Sequence, residues 1–428
     1  MQKLIVHKLG PIVNCELEIN KFMIFTGPQA SGKSTLAKCI FFFKNIKNIF
    51  FAEVIKAQML FNLEDNDTLF MSLKNRFIRD IRANFLQTFG TTWYMDHSMN
   101  LKYYYAPDKM IQICLKESYS APNFVWVEMS DAIHQFIYNI ENLKEEEKEH
   151  SDIVRKLVND FFEETKEIVY IPAGRSLITL LSLQLNYIYS SMDDIQKRSL
   201  DYCTQNYLER ILQLKNFYTS NYRQLIEDQI HLTDKKIDKK FLDFMSALMK
   251  DILKGEYRNV MGEERLEISD NKYVKINFAS SGQQEVLWIL NVVFYYLLNQ
   301  KKAYFIIEEP ESHLYPDAQK KIAQFIAAAK ENGNNILVTT HSPYILGEFN
   351  NLLYANNIRE HVSQERLETI INRYQWLEFS NVSGYYLEKG TISSCLDESF
   401  CSIVNEVIDG ASDDINSEFE QMLVLKGE

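Results

Sequence analysis

The sequence predicts an α/β fold with a buried parallel sheet, because three apolar segments each end in polar groups. Phe22 to Phe25 is followed by a loop rich in Gly and Ser and then by an apolar helix. Tyr304 to Ile307 ends in two carboxylates, and Ile336 to Thr340 ends in a histidine. Segments that are apolar on both faces are typical of central parallel strands. Ligands bind at the carboxyl ends of such strands, so the polar groups are expected to share one site.

The loop after the first strand is predicted to bind phosphate. It consists of Gly27, Pro28, Gln29, Ala30, Ser31, Gly32, Lys33, Ser34 and Thr35. Its glycines allow a tight turn, and backbone N–H groups at the start of the following helix can point at phosphate oxygens. Lys33 would reach the β- and γ-phosphates, and Ser34 would hold Mg²⁺. An ordinary Gly/Ser turn would not explain the flanking strand and helix, so ATP and Mg²⁺ are the expected ligands.

The carboxylates after the second strand are predicted to act on the metal and on water. Glu308 would ligate Mg²⁺ through water, and Glu309 would orient or deprotonate the attacking water. The alternative is a solvated acidic loop. His341 ends the next apolar strand and is predicted to sense the γ-phosphate, although a lone histidine is more often structural. For His313, a contact with an opposite subunit and a purely structural role both stay open.

A second anion-binding segment is predicted at Ser280, Ser281, Gly282 and Gln283. A predicted hairpin from Leu266 to Phe278 leads into it, and a long helix leaves it. A helix N-terminus attracts anions, but this one has no lysine of its own. It therefore suits the γ-phosphate of a nucleotide held by another subunit, which predicts a homodimer with composite ATP sites. The alternative is a simple Ser–Gly helix cap.

Composition and charge disfavour several functions. The net charge of −12 disfavours a broad DNA-binding surface, although a local basic groove remains compatible with it. The densest basic run, Lys235 to Lys240, is interrupted by Asp238, which favours a solvated helix face. Six scattered cysteines without a CxxC pair indicate neither a zinc site nor a disulfide framework. The longest apolar stretch, Val286 to Leu298, is too short to span a bilayer, and we recognise no signal peptide, so a cytoplasmic protein without membrane contact is expected.

Motif spacing divides the chain into four regions. They are residues 1–135 (phosphate loop and antiparallel, aromatic-rich β lobe), 136–260 (compact helical insertion with a short strand at 168–171), 261–350 (second half of the core) and 351–428 (hairpin and helices as an interaction region). The aromatic run Tyr103 to Tyr105 could stack bases, but its period-two alternation favours packing. Within the last region, Asp409 to Asp414 is expected to be a loop between helices.

Together these motifs resemble bacterial ATPases of the ABC/SMC-related class. Further resemblance lies in Leu9-Gly10-Pro11-Ile12, Ile171-Pro172-Ala173-Gly174-Arg175, the Glu-Glu-Pro-Glu run from Glu308 and Thr340-His341-Ser342-Pro343-Tyr344. The chain is similar to OLD-family ATPases and to the stand-alone ATPases of anti-phage defence, above all PARIS, then Septu and the retron-linked systems. The resemblance implies a P-loop NTPase of ABC/SMC-like type, in which Ser280 to Gln283 is the signature that acts in trans.

Three departures from the family pattern stand out. Glu308 occupies a position where Asp is usual, and Ala173-Gly174-Arg175 stands where a glutamine loop is expected. The TOPRIM nuclease domain of OLD proteins is not found, so no intrinsic nuclease is expected.

The resemblance implies an ATP-switched sensor or scaffold of anti-phage defence. Its expected partners are a second copy of the chain, a separate effector (a TOPRIM-type or other nuclease, or a toxin) and a phage-encoded trigger; larger homo-oligomers are also implied. The alternative is a DNA-repair ATPase of SMC or RecF type that binds DNA directly. A transporter ATPase is disfavoured by the long helical insertion. Salt-dependent binding of duplex DNA would separate the first two hypotheses.

Overall fold

A six-stranded sheet forms the centre of the molecule. The computed structural model describes residues 2–61, 71–118, 121–143, 151–180, 182–193, 196–197, 200–233, 237–269 and 272–426. The strands are β1 (Lys3–Leu9), β2 (Ile12–Glu18), β3 (Phe22–Thr26), β4 (Asn100–Ala106), β5 (Lys109–Ser118), β6 (Ala121–Met129), β7 (Glu167–Ile171), β8 (Glu256–Val260), β9 (Glu263–Ser269), β10 (Lys272–Lys275), β11 (Ala303–Glu308), β12 (Asn335–Thr339), β13 (Val382–Glu388), β14 (Thr391–Ser394), β15 (Leu396–Asp397) and β16 (Ser402–Ile403). The central sheet has the order β14-β13-β3-β12-β11-β7, and all its strands except β14 run parallel. The predicted parallel sheet is therefore confirmed.

Side chains of the central strands alternate between two hydrophobic cores on opposite faces of the sheet. In β3, Phe22 and Ile24 belong to one core, while Met23 and Phe25 belong to the other. Every residue of β3 and of β11 is buried. Parallel strands are covered on both faces, which explains why these segments are continuously apolar in sequence.

Helices and a second sheet cover the two faces. The helices are α1 (Lys33–Phe61), α2 (Leu73–Phe89), α3 (Asp131–Glu141), α4 (Ser151–Phe161), α5 (Ser176–Leu180), α6 (Ser182–Ser191), α7 (Tyr202–Leu214), α8 (Tyr222–Leu232), α9 (Lys239–Leu253), α10 (Ser281–Leu298), α11 (Pro316–Ala328), α12 (Pro343–Ile358), α13 (Gln364–Glu368) and α14 (Asn405–Lys426). Helices α1 to α4 share one core with the β lobe, and α7 to α12 contribute to the other. The apolar run Val286 to Leu298 lies in α10, within the second core. No described helix is both long and apolar enough to cross a membrane.

The β lobe is an antiparallel sheet with the order β2-β1-β4-β5-β6. Two of its aromatic residues, Tyr103 and Tyr105, pack against α1. The Tyr103 ring stacks on Phe43 with centroids 5.2 Å apart, and the Tyr105 hydroxyl donates to the Phe43 carbonyl at 2.6 Å. Both tyrosines are buried. They therefore join the lobe to the core and are not available to stack on bases.

The region between the two halves of the core is mainly helical and folds back on α10. Tyr218 and Tyr222 are fully buried there, and the Tyr222 hydroxyl donates to Asn291 Oδ1 at 3.1 Å. The same region supplies β7, which pairs with β11 in the central sheet. Of the basic run, residues 234–236 lie outside the described residues. Lys239, on α9, forms an exposed ion pair with Asp243 at 2.8 Å, as a solvated helix face would.

The C-terminal hairpin extends the central sheet. Strand β13 pairs in parallel with β3, and β14 pairs antiparallel with β13. The backbone N–H groups of Val13 and Asn14 donate to the Gly390 carbonyl at 2.8 and 3.2 Å, which fixes the hairpin turn against the turn between β1 and β2. The loop predicted at Asp409 to Asp414 is wrong, because α14 runs through it. A single glycine costs a helix only about 1 kcal/mol, so it need not end one.

Candidate functional site

The predicted phosphate loop connects β3 to α1. Residues 27–32 form the turn, and Lys33, Ser34 and Thr35 begin the helix. Gly27 has φ +139°, and a Cβ built on it would lie 2.2 Å from the Leu387 carbonyl oxygen of β13. The loop therefore packs tightly against the C-terminal hairpin, and only glycine fits at this position.

Lys33 lies along the inside of this loop. Its Nζ donates to the carbonyls of Gly27 and Pro28, each at 2.8 Å. Burial lowers the pKa of Lys33, and the charges of Glu309 and Glu311 oppose that shift. Within the same loop, Ser31 Oγ is buried and has no hydrogen-bond partner among the described residues. The loop thus holds a cation, and a hydroxyl without a partner, where phosphate oxygens are expected.

The two consecutive carboxylates at the end of β11 have different surroundings. Glu308 is buried; its Oε2 accepts from the Ala173 N–H at 3.2 Å, whereas Oε1 has no hydrogen-bond partner in the described structure. Glu309 follows with φ +41°, and its N–H donates to the Thr339 carbonyl at 2.9 Å. Its side chain is 32% exposed. One carboxylate is therefore held inside the protein, and the next can reach solvent or a ligand.

His341 lies beside these carboxylates because β12 is the neighbour of β11. Its Nδ1 is 3.8 Å from Glu309 Oε1 and 3.6 Å from Glu311 Oε1. The His341 N–H and the Thr340 hydroxyl both donate to Glu311 Oε1, at 2.9 and 2.7 Å. The buried Glu311 therefore fixes the backbone that presents the half-exposed imidazole.

Two residues that contribute to this site, Glu311 and Arg175, were not predicted from the sequence to be functional. Glu311 was visible only as the last residue of the Glu-Glu-Pro-Glu run. Arg175 stands in the loop that lacks the expected glutamine, yet its guanidinium is fully buried and donates to the Glu308 and Glu309 carbonyls at 2.6 and 3.0 Å. The sequence shows an arginine after a short apolar strand, but it does not show that β7 pairs with β11, and the contacts of Arg175 depend on that pairing.

The segment at Ser280 to Gln283 forms the N-terminus of α10. Ser280 and Gln283 make a reciprocal capping box, with the Ser280 N–H donating to Gln283 Oε1 at 3.0 Å and the Gln283 N–H donating to Ser280 Oγ at 3.3 Å. Ser280 and Ser281 are exposed. No hydrogen bond or ion pair of the described residues joins this segment to the phosphate loop of the same chain.

Gly282 brings this segment against the loop that follows the carboxylates. A Cβ built on it would lie 2.6 Å from the His313 carbonyl oxygen. His313 itself has φ +59°. The helix start and the loop at His313 therefore form one continuous surface, and His313 takes part in it through its backbone.

The predicted residues thus fall into two groups. The phosphate loop, Glu308, Glu309 and His341 meet at the carboxyl ends of three neighbouring parallel strands, β3, β12 and β11. This edge of an open α/β sheet is where ligands bind. The Ser280 to Gln283 segment forms the second group, joined to the first through the loop at His313.

Solved structures to which the chain is similar include SMC heads and an ATP-binding cassette. An SMC head bound to the C-winged helix domain of ScpA is 12% identical, with a TM-score of 0.42, and the match covers 93% of this chain and 98% of the other. The SMC head domain from Thermotoga maritima is 11% identical, with a TM-score of 0.35 and coverage of 92% and 97%. An ATP-binding cassette in a dimeric post-hydrolysis state with ADP and Pi is 14% identical, with a TM-score of 0.29 and coverage of 92% and 97%.

The family assignment rests on a different comparison, because those identities and TM-scores are low. No curated protein matches the sequence significantly. The AAA ATPase domain family matches residues 1–346 of the 428. The matched region contains the phosphate loop, both carboxylates and His341. The chain therefore belongs to the AAA ATPase domain family.

Proposed function

We propose that this ATPase binds Mg·ATP between two copies of the chain, hydrolyses it, and uses the resulting switch to control a separate effector in anti-phage defence. The observation that supports the ATPase site most strongly is the meeting of the phosphate loop, Glu308, Glu309 and His341 at one edge of the central sheet. Residues Gly27 to Thr35 would enclose the phosphates. Lys33 would exchange its bonds to the loop carbonyls for the β- and γ-phosphate oxygens.

The site also fits Mg²⁺. Magnesium is usually bound through one or two carboxylates, substrate phosphates and several waters. Ser34 would ligate it directly and Glu308 through water, which gives the free Glu308 Oε1 a function. The described residues contain no cluster of three or more His, Cys, Asp or Glu placed to hold a metal, and this mode of binding requires none. The metal would neutralise charge on the phosphate oxygens.

Glu309 is the proposed general base and His341 the proposed γ-phosphate contact. Glu309 is partly exposed, whereas Glu308 is buried and is assigned to the water on Mg²⁺, so Glu309 is proposed to meet the attacking water. It would accept the proton of that water as the water attacks the γ-phosphate. The His341 imidazole, with Nδ1 3.8 Å from Glu309 Oε1, would contact the same phosphate.

The second half of each site would come from another copy of the chain. The exposed helix start at Ser280 offers N–H groups and a positive dipole without a lysine, and it makes no described polar contact with its own phosphate loop. It would bind the γ-phosphate held by Lys33 of the partner subunit. A two-fold arrangement then creates two equivalent sites, as isologous dimers require.

Mixing two inactive variants tests this composite site. Lys33→Ala should lose nucleotide binding in its own loop, and Ser280→Arg should block the γ-phosphate contact in the partner's site. Each variant alone should hydrolyse little ATP, whereas the mixture should regain activity, because mixed dimers contain one intact site. A single variant with normal hydrolysis, or a mixture in which ATP induces no dimer in sedimentation, would contradict the composite site.

Control of a separate effector is supported by the sequence resemblance and by the end of α14. That part of the helix exposes Phe419, Met422, Val424 and Leu425. Exposed apolar residues on one helix provide a surface on which another protein can pack. No catalytic motif of a nuclease is recognised in the sequence, so the proposed output is binding or release of a partner when the ATP state changes.

Direct DNA binding is the second candidate, and one observation favours it. A cavity of about 480 Å³ at the amino ends of β3 and β12 is lined by basic side chains. They are Lys21, Lys166, Lys330, Arg359 and Arg373. Two carboxylates, Glu331 and Glu378, also line it and weaken its field. Duplex binding whose affinity falls steeply with salt, and which is lost on neutralising Arg359 and Arg373, would favour this candidate.

A further inference from the structure

Arg175 is buried between the phosphate site and the start of α10, and it hydrogen-bonds to both. Its Nη1 donates to the Pro172 and Glu308 carbonyls, each at 2.6 Å, and Nη2 donates to the Glu309 carbonyl at 3.0 Å. Its Nε donates to the Glu285 carbonyl at 3.0 Å. The side chain is fully buried. A buried arginine is costly unless its donors are satisfied, and here the backbone of two separate elements satisfies them.

The segment that carries Arg175 is also fixed to α10. Glu285, one turn from the helix start, accepts from the Arg175 N–H at 3.0 Å and from the Ser176 N–H at 2.9 Å. The Thr179 hydroxyl donates to the Gln284 carbonyl at 2.8 Å. Glu285 Oε2 lies 3.4 Å from the Arg175 Nε, so an ion pair is added to these bonds. Residues 175–179 therefore have to follow any displacement of the N-terminal turn of α10.

On its other side, the guanidinium holds an unusual backbone conformation. Glu309 has φ +41°, a conformation that costs a non-glycine residue about 1–3 kcal/mol and persists only where neighbours impose it. The Glu309 carbonyl accepts from Arg175 at 3.0 Å and from the Ser312 N–H at 3.2 Å. The Glu309 N–H donates to the carbonyl and the hydroxyl of Thr339, at 2.9 and 3.3 Å. A shift of Arg175 would therefore weaken one of the two hydrogen bonds on the Glu309 carbonyl and change the direction of the Glu309 side chain.

We propose that Arg175 is a positioning residue that couples the two ATP sites of the dimer. This inference rests on the proposed function. In each subunit, the start of α10 contacts the nucleotide of the partner, while Glu309 acts on the nucleotide of its own loop. Arg175 joins these two parts within one chain, so occupation of one site positions the base of the other.

Cooperativity in ATP hydrolysis tests this coupling. At protein concentrations high enough to keep the dimer assembled, ATP-driven dimerisation adds no cooperativity. Under those conditions, two coupled sites give the native protein a Hill coefficient above 1 and at most 2. Arg175→Lys keeps the charge near Glu285, but an ammonium cannot reproduce the planar fork that spans Glu285, Glu308 and Glu309. We expect this variant to keep its nucleotide affinity and, combined with Glu309→Gln, its ATP-dependent dimerisation in sedimentation. Its Hill coefficient should fall to about 1, and its turnover should fall with it.

A matched control separates coupling from stability. Lys44 is another buried cation, paired with Glu164 at 2.6 Å, away from the site. Lys44→Met should lower the melting temperature but leave the Hill coefficient unchanged. If Arg175→Lys does not fold, Thr179→Val weakens the same connection from the α10 side and should also lower the Hill coefficient. A native Hill coefficient in Arg175→Lys, or in Thr179→Val where that variant replaces it, would overturn the inference.

The native protein distinguishes the two proposals. Hydrolysis that requires dimers but shows a Hill coefficient of 1 would overturn the coupling by Arg175 and leave the composite site intact. Hydrolysis by a monomer, measured at concentrations where sedimentation detects no dimer, would instead overturn the proposed function on which the coupling depends.

Discussion

At the scale of single residues, two neighbouring carboxylates differ in burial, and we propose different functions for them. Glu308 is buried beside the Ala173 N–H, and Glu309 is about one third exposed near His341. We expect Glu309→Gln to bind Mg·ATP but to hydrolyse it at least about a hundredfold more slowly, because a general base contributes roughly that much. Single-turnover hydrolysis measured alongside nucleotide binding provides the test.

The control for this change is an exposed glutamate away from the site. Glu360, just after α12, is largely exposed, and Glu360→Gln should leave turnover unchanged. Wild-type turnover in Glu309→Gln would remove the general-base function from this residue. Loss of nucleotide binding in Glu309→Gln would instead indicate that the carboxylate stabilises bound Mg·ATP before hydrolysis.

The sequence could predict candidate functional residues only where they form a motif in one continuous segment. The phosphate loop and the pair Glu308–Glu309 are of this kind, and the structure places them at one edge of the sheet. The bonds from Glu311 to the backbone of Thr340 and His341 were not predictable, because they join two segments that only the pairing of β11 with β12 brings together. Local sequence patterns contain no information on that pairing.

At the scale of elements, the hairpin β13–β14 packs against the predicted phosphate loop. A Cβ on Gly27 would lie 2.2 Å from the Leu387 carbonyl oxygen of β13. Because this oxygen belongs to the backbone of a strand, it cannot move away without displacing the strand. Gly27→Ala should therefore destabilise the protein by more than about 2 kcal/mol through strain and steric overlap, and it should weaken ATP binding. Denaturant unfolding and nucleotide titration measure the two effects.

Gly90 provides a matched control for the backbone strain. It has φ +86°, and a Cβ there would meet nothing within 4 Å. Gly90→Ala should cost about 1–3 kcal/mol through strain alone and leave ATP binding unchanged. Equal effects of the two substitutions on ATP binding would mean that the hairpin does not support the loop.

The contact between α1 and β7 predicts a pH dependence of stability. Burial lowers the pKa of Lys47 on α1 from 10.5 to about 8, although Glu164 nearby favours the charged form. Its Nζ donates to the Glu164 and Lys166 carbonyls at 2.6 and 2.8 Å, beside the start of β7. The folded protein binds this proton less tightly than the unfolded chain, so the free energy of unfolding should rise between about pH 8 and 10.5, by up to about 3 kcal/mol.

Comparison with Lys47→Met isolates this contribution. The variant lacks the ionisation but shares the other groups that titrate at alkaline pH. The stability of the native protein relative to Lys47→Met should therefore increase across pH 8 to 10.5 and stay constant below about pH 7. A constant difference throughout would mean that the Lys47 pKa is ordinary in the folded state.

At the scale of the whole molecule, the sequence predicted the parallel sheet but not its full width. Three of its strands were predicted, because each is a continuous apolar segment followed by polar groups. Strand β13, with the pattern Val382-Ser383-Gly384-Tyr385-Tyr386, looks like half of an isolated hairpin, and the family match ends at residue 346. Only its long-range pairing with β3 makes it a central strand, and such pairing leaves little trace in local periodicity.

The last prediction concerns the purpose of the ATP switch in the cell. If the protein controls a separate effector, expression together with the gene of that effector should protect bacteria from phage, and either gene alone should not. Protection should also require Lys33 and Glu309, because a switch acts only if its two nucleotide states differ in their affinity for the partner. Truncation before α14, which removes the exposed Phe419 and Leu425, should abolish protection while ATPase activity remains.

The measurements are plaque counts with each variant, and sedimentation of the complex to detect assemblies larger than the dimer. Full protection by this chain alone, or by Lys33→Ala with the effector, would contradict the proposed function in defence.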